Sequence, residues 1–171
     1  MVTFGICNAH YAKLTSQGFL TPQSLPGAQT LTLPVREDTV YSTPLNGVPQ
    51  PIRARGTGYD GKLEIVSLPS YFLSDILGYT HNLDGSYTEN LIEDFVPFAL
   101  LFQTEGSLKK RYVYYNCCCI QPDFDITTVA DKTSVKAESL KLIITPYNNK
   151  IRRIVDEQQA VYNTWFNGVV I

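Results

Sequence analysis

The stretch GYDGKLEIVSLPSYFLSDILGY, Gly58–Tyr79, decides the fold. Asp60-Gly61 reads as a turn signal. From Lys62 to Leu68 the chain alternates, with Leu63 and Ile65 on one face and Glu64, Val66 and Leu68 on the other, the period-two signature of a strand. Pro69 has no N–H to give a sheet ladder, so the strand ends there. Ser70 is an N-cap residue type. Phe72, Leu73, Ile76 and Leu77 then recur at helical spacing, and Gly78 suits the left-handed position that stops a helix. So short a helix does not hold in water alone; it is expected docked on a sheet. This one stretch predicts a mainly β chain with a flanking short helix.

Upstream, Val2–Thr15 reads as a first strand and Ala28–Val35 as a second, with a turn region at 18–27 between them. Pro34 marks an edge or a strand end. Residues 38–57, DTVYSTPLNGVPQPIRARGT, read as a long extended loop with hairpin character, because Asn46-Gly47 between apolar residues is a hairpin-tip signal. Loops this long in compact domains are functional or disordered. Arg53 and Arg55 lie in it without a Gly-rich phosphate cradle, so a solvated or interface role is expected for them.

Downstream, Tyr79–Leu91 reads as a hairpin around Asp84-Gly85, and Glu89, Glu93 and Asp94 give this side an acidic character. Phe98–Thr104 and Lys110–Phe124 form the clearest hairpin. Phe98, Leu100 and Phe102 are expected on one face, and Tyr112, Tyr114, Cys118 and Ile120 on a shared face of its partner. Lys109, Lys110 and Arg111 read as a charged hairpin tip, and 125–135 as polar loop. Ala137–Thr145 alternates again, with Leu140, Leu142 and Ile144 toward the core. Lys150, Arg152 and Arg153 make a second basic cluster. Asp156 is placed to cap a final helix over Glu157–Asn167, in a C-terminal segment (154–171) that Trp165 would pin to the body.

The chain has 171 residues, enough for one domain, 1–171, with a single good core. Charged residues are only 18 % and Tyr numbers eleven, a composition suited to contact surfaces, since Tyr buries an apolar body and keeps a polar tip. The net charge of −2 argues against a dedicated nucleic-acid binder. No signal-peptide pattern opens the chain and no apolar run approaches the ~20 residues of a membrane span, so assembly in the cytoplasm is expected.

The residues that carry chemistry are sparse. There is no GxSxG, HExxH, P-loop, GxGxxG or EF-hand loop. His10 and His81 are the only histidines, and a strand histidine such as His10 without a Ser, Cys or Asp motif is expected to be structural. On a strand Cys117 and Cys119 face one side and Cys118 the other, which suits neither redox nor zinc spacing. Cys7 completes the set. No enzyme and no cofactor is expected; a binding or assembly module is.

The opening stretch also resembles the block G-Y-x-G-x-L-E-I-x-x-(I/L)-P-x-x-F-x-x-D-I-L-G-Y of the phi13-type phage major tail proteins (tail tube proteins). Four further blocks resemble that family in the same order: GICNAHYAKLT at Gly5–Thr15, PFALLFQTEG at Pro97–Gly106, RYVYYNC at Arg111–Cys117 and YNTWFNGVVI at Tyr162–Ile171. The resemblance implies an antiparallel β-sandwich of two sheets with a helix at its flank. It implies hexameric rings stacked into the hollow tube of a long non-contractile tail, around a tape measure protein, between terminator and tip proteins, conducting DNA. Its implied location is the virion tail. By analogy, 38–57 is the inter-ring loop, with Val40, Tyr41, Leu45, Asn46, Gly47, Val48, Ile52, Arg53 and Arg55 in contact. Glu89, Glu93 and Asp94 would face the lumen. The chain departs from the family in lacking its acidic, Gly-containing stretch after the second strand and in its triple cysteine. Related expectations are a tail tip or completion ring, a receptor-binding β-sandwich, and the tube subunit of a tail-like bacteriocin.

Overall fold

The computed structural model describes residues 3–42, 47, 50–91, 94–106, 109–122 and 137–171, with the backbone alone at 3–4, 42 and 50–54. The strands are β1 (Thr3–Thr15), β2 (Gly18–Phe19), β3 (Gln23–Ser24), β4 (Ala28–Thr32), β5 (Val35–Ser42), β6 (Gln50–Ile65), β7 (Thr80–His81), β8 (Tyr87–Thr88), β9 (Phe98–Gly106), β10 (Lys110–Cys119), β11 (Glu138–Thr145) and β12 (Arg152–Asp156), with one helix, α1 (Ser70–Asp75). Ten strands form one antiparallel sheet in the order β2-β1-β9-β10-β11-β6-β4, with β3 also on β1, β12 also on β10 and β5 also on β6. The expected sandwich of two sheets is therefore corrected to one continuous sheet, curled so that β1, β6, β9, β10 and β11 all contribute to a single core. β7 and β8 form a separate small hairpin whose Gly85 takes the left-handed φ of 85° that its turn demands.

The inner core gathers Tyr11, Leu63, Ile65, Phe98, Leu100, Leu140, Leu142 and Ile144, closed by Phe72, Ile76 and Leu77. Each such side chain contributes about 1.5–3 kcal/mol by leaving water. The helix is docked as its sequence requires: Phe72 and Leu77 are fully buried and Leu73 is half-buried. Tyr11 meets Phe72 edge-on at 4.9 Å and donates its hydroxyl to Asp75 at 2.9 Å. Ser70 is not the cap. The N-cap position belongs to Pro69, which makes no side-chain capping bond, and its carbonyl accepts from Phe72 and Leu73. The helix ends earlier than expected, at Asp75 with Ile76 as its C-cap, so Ile76 and Leu77 pack from just beyond it and Gly78 takes its left-handed φ of 69° two residues after the cap.

Asp60-Gly61 is likewise no turn. Both residues lie inside β6, opposite Ile143 and Leu142 of β11. On its other side β6 pairs first with β5 and then with β4, so the chain turns a corner at Leu33-Pro34 against Gly61. A Cβ at Gly61 would sit 2.0 Å from the Thr32 carbonyl oxygen. The glycine is required by close backbone approach, and no turn geometry is involved.

β10 departs from simple alternation. Tyr114 pairs with Leu100 and Cys117 with Phe98, so the strand carries a bulge between them. A bulge flips the faces that follow. Cys117 and Cys119 therefore join the inner core beside Tyr114, while Cys118 and Ile120 turn outward, against the expected shared face. The strand also ends at Cys119, short of the expected Phe124; the expected polar loop 125–135 lies outside the described residues.

On the outer face a second core forms from Ala12, Ala99, Leu101, Val113, Tyr115 and Val155, covered by Tyr162 and Trp165. The expected C-terminal helix is absent: Ala160–Tyr162 and Trp165–Asn167 are single 3-10 turns. Thr164 bonds the Val161 carbonyl through its hydroxyl, and Asn and Thr side chains of this sort compete with helical bonding. Asp156 is no helix cap, because Arg152–Asp156 is a strand. β12 runs along β10 in line with β11, after the excursion 146–151, whose Asn148 and Asn149 take φ of 48° and 62°.

Candidate assembly surfaces

The longest feature outside the two cores is the β5–β6 hairpin. Val35–Ser42 pairs with Tyr59 back to Gln50 through two bulges on β6, so the expected extended loop is largely a two-stranded ribbon. At ~3.3 Å per residue it reaches about 25 Å. Among the described residues no strand pairs with the outer edge of β5. Val40 and Tyr41 are 46 % and 61 % exposed. Val40 stands opposite Arg53 and Tyr41 opposite Pro51, which leaves Ile52 as the extra residue of a bulge. Arg55 Nε lies 3.8 Å from the Asp38 carboxylate, a pair between exposed groups worth little in water. Gly47 takes a left-handed φ of 76°. Leu45, Asn46 and Val48 lie outside the described residues.

At the base of this ribbon Arg36 Nη1 donates to Asp60 at 3.1 Å and Nη2 to the Ile144 carbonyl at 3.5 Å. Gly58 beside them admits no side chain, since a Cβ would come 2.1 Å from that same carbonyl oxygen. The ribbon is thus rooted rigidly in the sheet.

The C-terminal segment covers only part of the outer sheet face. Over β6, β11 and the end of β10 no described residue of that segment lies on the face, and a groove there is lined by Phe95, Cys118, Ile120 and Ile143 with Lys62 and Lys141. Phe95 is 54 % and Ile143 43 % exposed. Leu91 extends the apolar strip past Phe95. Nothing in the local sequence announces this surface, because the β10 bulge is what turns Cys118 and Ile120 outward.

Glu89 and Asp94 are exposed and flank this strip; Glu93 lies outside the described residues. Burial chiefly, and Glu89 next, push the Tyr79 hydroxyl up from its ordinary range. The two basic clusters resolve differently from expectation. Arg111 is not a solvated tip: it donates to Gln103 Oε1 at 3.0 Å and to the Tyr162 carbonyl, under the Tyr162 ring. Arg152 donates to the Tyr114 hydroxyl at 3.3 Å, and Arg153 to the Ile171 carbonyl at 3.3 Å. These are roles that neighbours in sequence do not disclose: Gln103 lies 8 residues from Arg111 on the facing strand, and the other partners lie 18 or more residues away.

His10 stacks on Phe166 at 4.5 Å and its Nδ1 lies 2.9 Å from the Asn8 carbonyl, a packing role. His81 stacks on Tyr87 at 4.7 Å. Burial raises the thiols of Cys117 and Cys119, the latter to about 12, far from the range of a nucleophile. Among the described residues no three His, Cys, Asp or Glu side chains gather as metal ligands, and the cysteines are free thiols.

No family model matches the chain, and no curated protein does. Among solved structures it is similar to the cryo-EM structure of the anti-feeding prophage cap (AFP tube terminating cap), at a TM-score of 0.35 and 14 % identity, over 87 % of this chain and 88 % of that one.

Proposed function

We propose that this chain is a non-enzymatic structural subunit of a phage-tail-like tube, assembling with copies of itself into rings. The observation that carries the reading is the rooted β5–β6 ribbon, with an outer edge unpaired among the described residues and exposed Val40 and Tyr41. A long unpaired edge is a template for another chain, and proteins that do not use one blunt it with charged side chains, Pro or a bulge. The charges of β5, Arg36, Glu37 and Asp38, sit near the ribbon's root, Thr39–Ser42 carries neither charge nor Pro, and the bulges of the pair fall on β6. The five ordered sequence blocks support the same reading.

In this proposal six copies close a ring through heterologous contacts, which close or propagate according to their rotation. The segment 38–57 reaches the adjacent ring. The bore holds a tape measure protein and passes DNA without reading its sequence, with Glu89, Glu93 and Asp94 facing it. Terminator and tip proteins bound the tube, and the assembly forms in the bacterial cytoplasm before joining the virion tail.

Deleting Val40–Pro51 tests it. The shortened protein is expected to keep its fold and to form at most single rings. Long tubes from the deletion protein would refute the stacking role. Full-length rings that never stack would assign the chain to a completion ring at the tube end.

A further inference from the structure

We propose that Asn167-Gly168 is a site of spontaneous deamidation in the folded subunit, and that the product loosens the C-terminal segment. Asparagine is thermolabile, because its side-chain amide lies within reach of the next backbone nitrogen. A glycine in that next position leaves the nitrogen unshielded and the backbone free to turn. The chain has two such pairs, Asn46-Gly47 and Asn167-Gly168. Asn46 lies outside the described residues; Asn167 lies within them.

Asn167 is exposed, and among the described residues nothing hydrogen-bonds its side-chain amide. The amides of Asn82, Asn90 and Asn116 are by contrast held, to Ser86 and Thr88, to Gly78 and Thr80, and to Thr145. There is room around Gly168, where a Cβ would meet nothing within 4 Å. The pair sits at the end of the single 3-10 turn Trp165–Asn167, in which the Asn167 N–H donates to the Thr164 carbonyl at 3.0 Å. Hydrogen bonds in so short a 3-10 turn are poorly aligned, so the local rearrangement that brings nitrogen to amide carbon breaks little.

In the reaction the Gly168 backbone nitrogen attacks Asn167 Cγ, the new N–C bond forms and ammonia leaves, closing a succinimide ring. Water then opens that ring at either carbonyl. One opening gives aspartate. The other gives isoaspartate, whose main chain runs through the side-chain carbon.

The pair lies between two anchors. Before it, Trp165 donates to the Tyr112 carbonyl and Phe166 packs on His10 and Arg111. After it, the Val170 carbonyl accepts from Tyr115 at 2.8 Å and the Ile171 carbonyl from Arg153 at 3.3 Å. Isoaspartate puts an extra main-chain carbon between these anchors, so both are no longer met in register, and Val169 and Val170 lose packing on the outer core.

Peptide mapping of the purified full chain, incubated at mildly alkaline pH, tests the site, with isoaspartate read by isoaspartyl methyltransferase labelling and the same chain in denaturant as the accessible reference. Aspartate and isoaspartate are expected in place of Asn167, with Asn82, Asn90 and Asn116 intact. Gly168→Ala, whose methyl the fold accepts, is expected to slow the conversion at least tenfold at an unchanged melting temperature. Protein enriched in the isoaspartate form should melt below fresh protein, whereas Asn167→Asp, with the charge but the ordinary main chain, should melt with it. An Asn167 that survives in the folded chain while the denatured chain converts, or that converts equally fast in the Gly168→Ala variant, overturns the site. Isoaspartate protein that melts with fresh protein overturns the loosening of the C-terminal segment.

Discussion

The guanidinium carbon of Arg111 lies 3.8 Å from the centre of the Tyr162 ring and 4.8 Å from that of Phe166. Its Nε donates to Gln103, whose same Oε1 accepts the Tyr162 hydroxyl at 3.3 Å. One cation thus ties β10, β9 and the C-terminal segment together. Arg111→Ala is expected to destabilise the subunit by about 2–3 kcal/mol, from the cation–π contact and the lost charge-assisted hydrogen bonds to Gln103 and the Tyr162 carbonyl. Arg111→Lys should recover part, lacking the planar fork. Denaturant midpoints measure both; no shift for the alanine variant would make the C-terminal segment a passenger.

Trp165 is the only tryptophan, is 1 % exposed, and donates its indole N–H to the Tyr112 carbonyl at 3.3 Å. Trp165→Ala should cost about 3–5 kcal/mol, as large aromatic truncations in cores do. An unchanged thermal midpoint would exclude it from the core.

Gly61→Ala places a methyl 2.0 Å from the Thr32 carbonyl oxygen, whereas Gly168→Ala meets nothing within 4 Å. The first should be severely destabilising or fail to fold. The second should change stability by no more than ~0.5 kcal/mol. Equal melting of the two would remove the close-approach account of Gly61.

Alkaline pH tests the buried thiols and phenols. Burial raises Cys119 to about 12 and lifts the Tyr11 hydroxyl, which Asp75 raises further. Their neutral forms are favoured in the folded state, and their unfolded values are about 8.5 and 10. The stability they confer is complete below those values and declines as pH climbs toward the folded ones. Thermal midpoints should fall from about pH 8.5 upward, and Cys119→Ala should flatten the first part of that fall. A midpoint constant from pH 8 to 11 would contradict the burial.

Much of this fold was legible in short stretches. Leu63 and Ile65 alternate into the core, Phe72 of α1 and Leu77 just beyond it are buried, and Leu140, Leu142 and Ile144 behave as their spacing demands. Those patterns depend only on a residue's neighbours. What escaped depends on distant ones. Gly61 looks like a turn residue because its reason, the Thr32 backbone, is on another strand. The β10 bulge moves Cys118 and Ile120 to the opposite face without any Gly or Pro to mark it. The aromatic spacing of Tyr162, Trp165 and Phe166 suits a helix, yet their packing against Arg111 and β10 is met by two 3-10 turns. Of the candidate surfaces, the hairpin character of 38–57 was legible in the sequence; the groove was not.

Self-association is the central claim, and negative-stain electron microscopy of the purified wild-type chain across a concentration series, with its mass measured in solution alongside, tests it most directly. Six-fold rings or hollow tubes above a threshold concentration are predicted. A monomer of 19.2 kDa at every concentration, with no ring on any grid, would contradict the account.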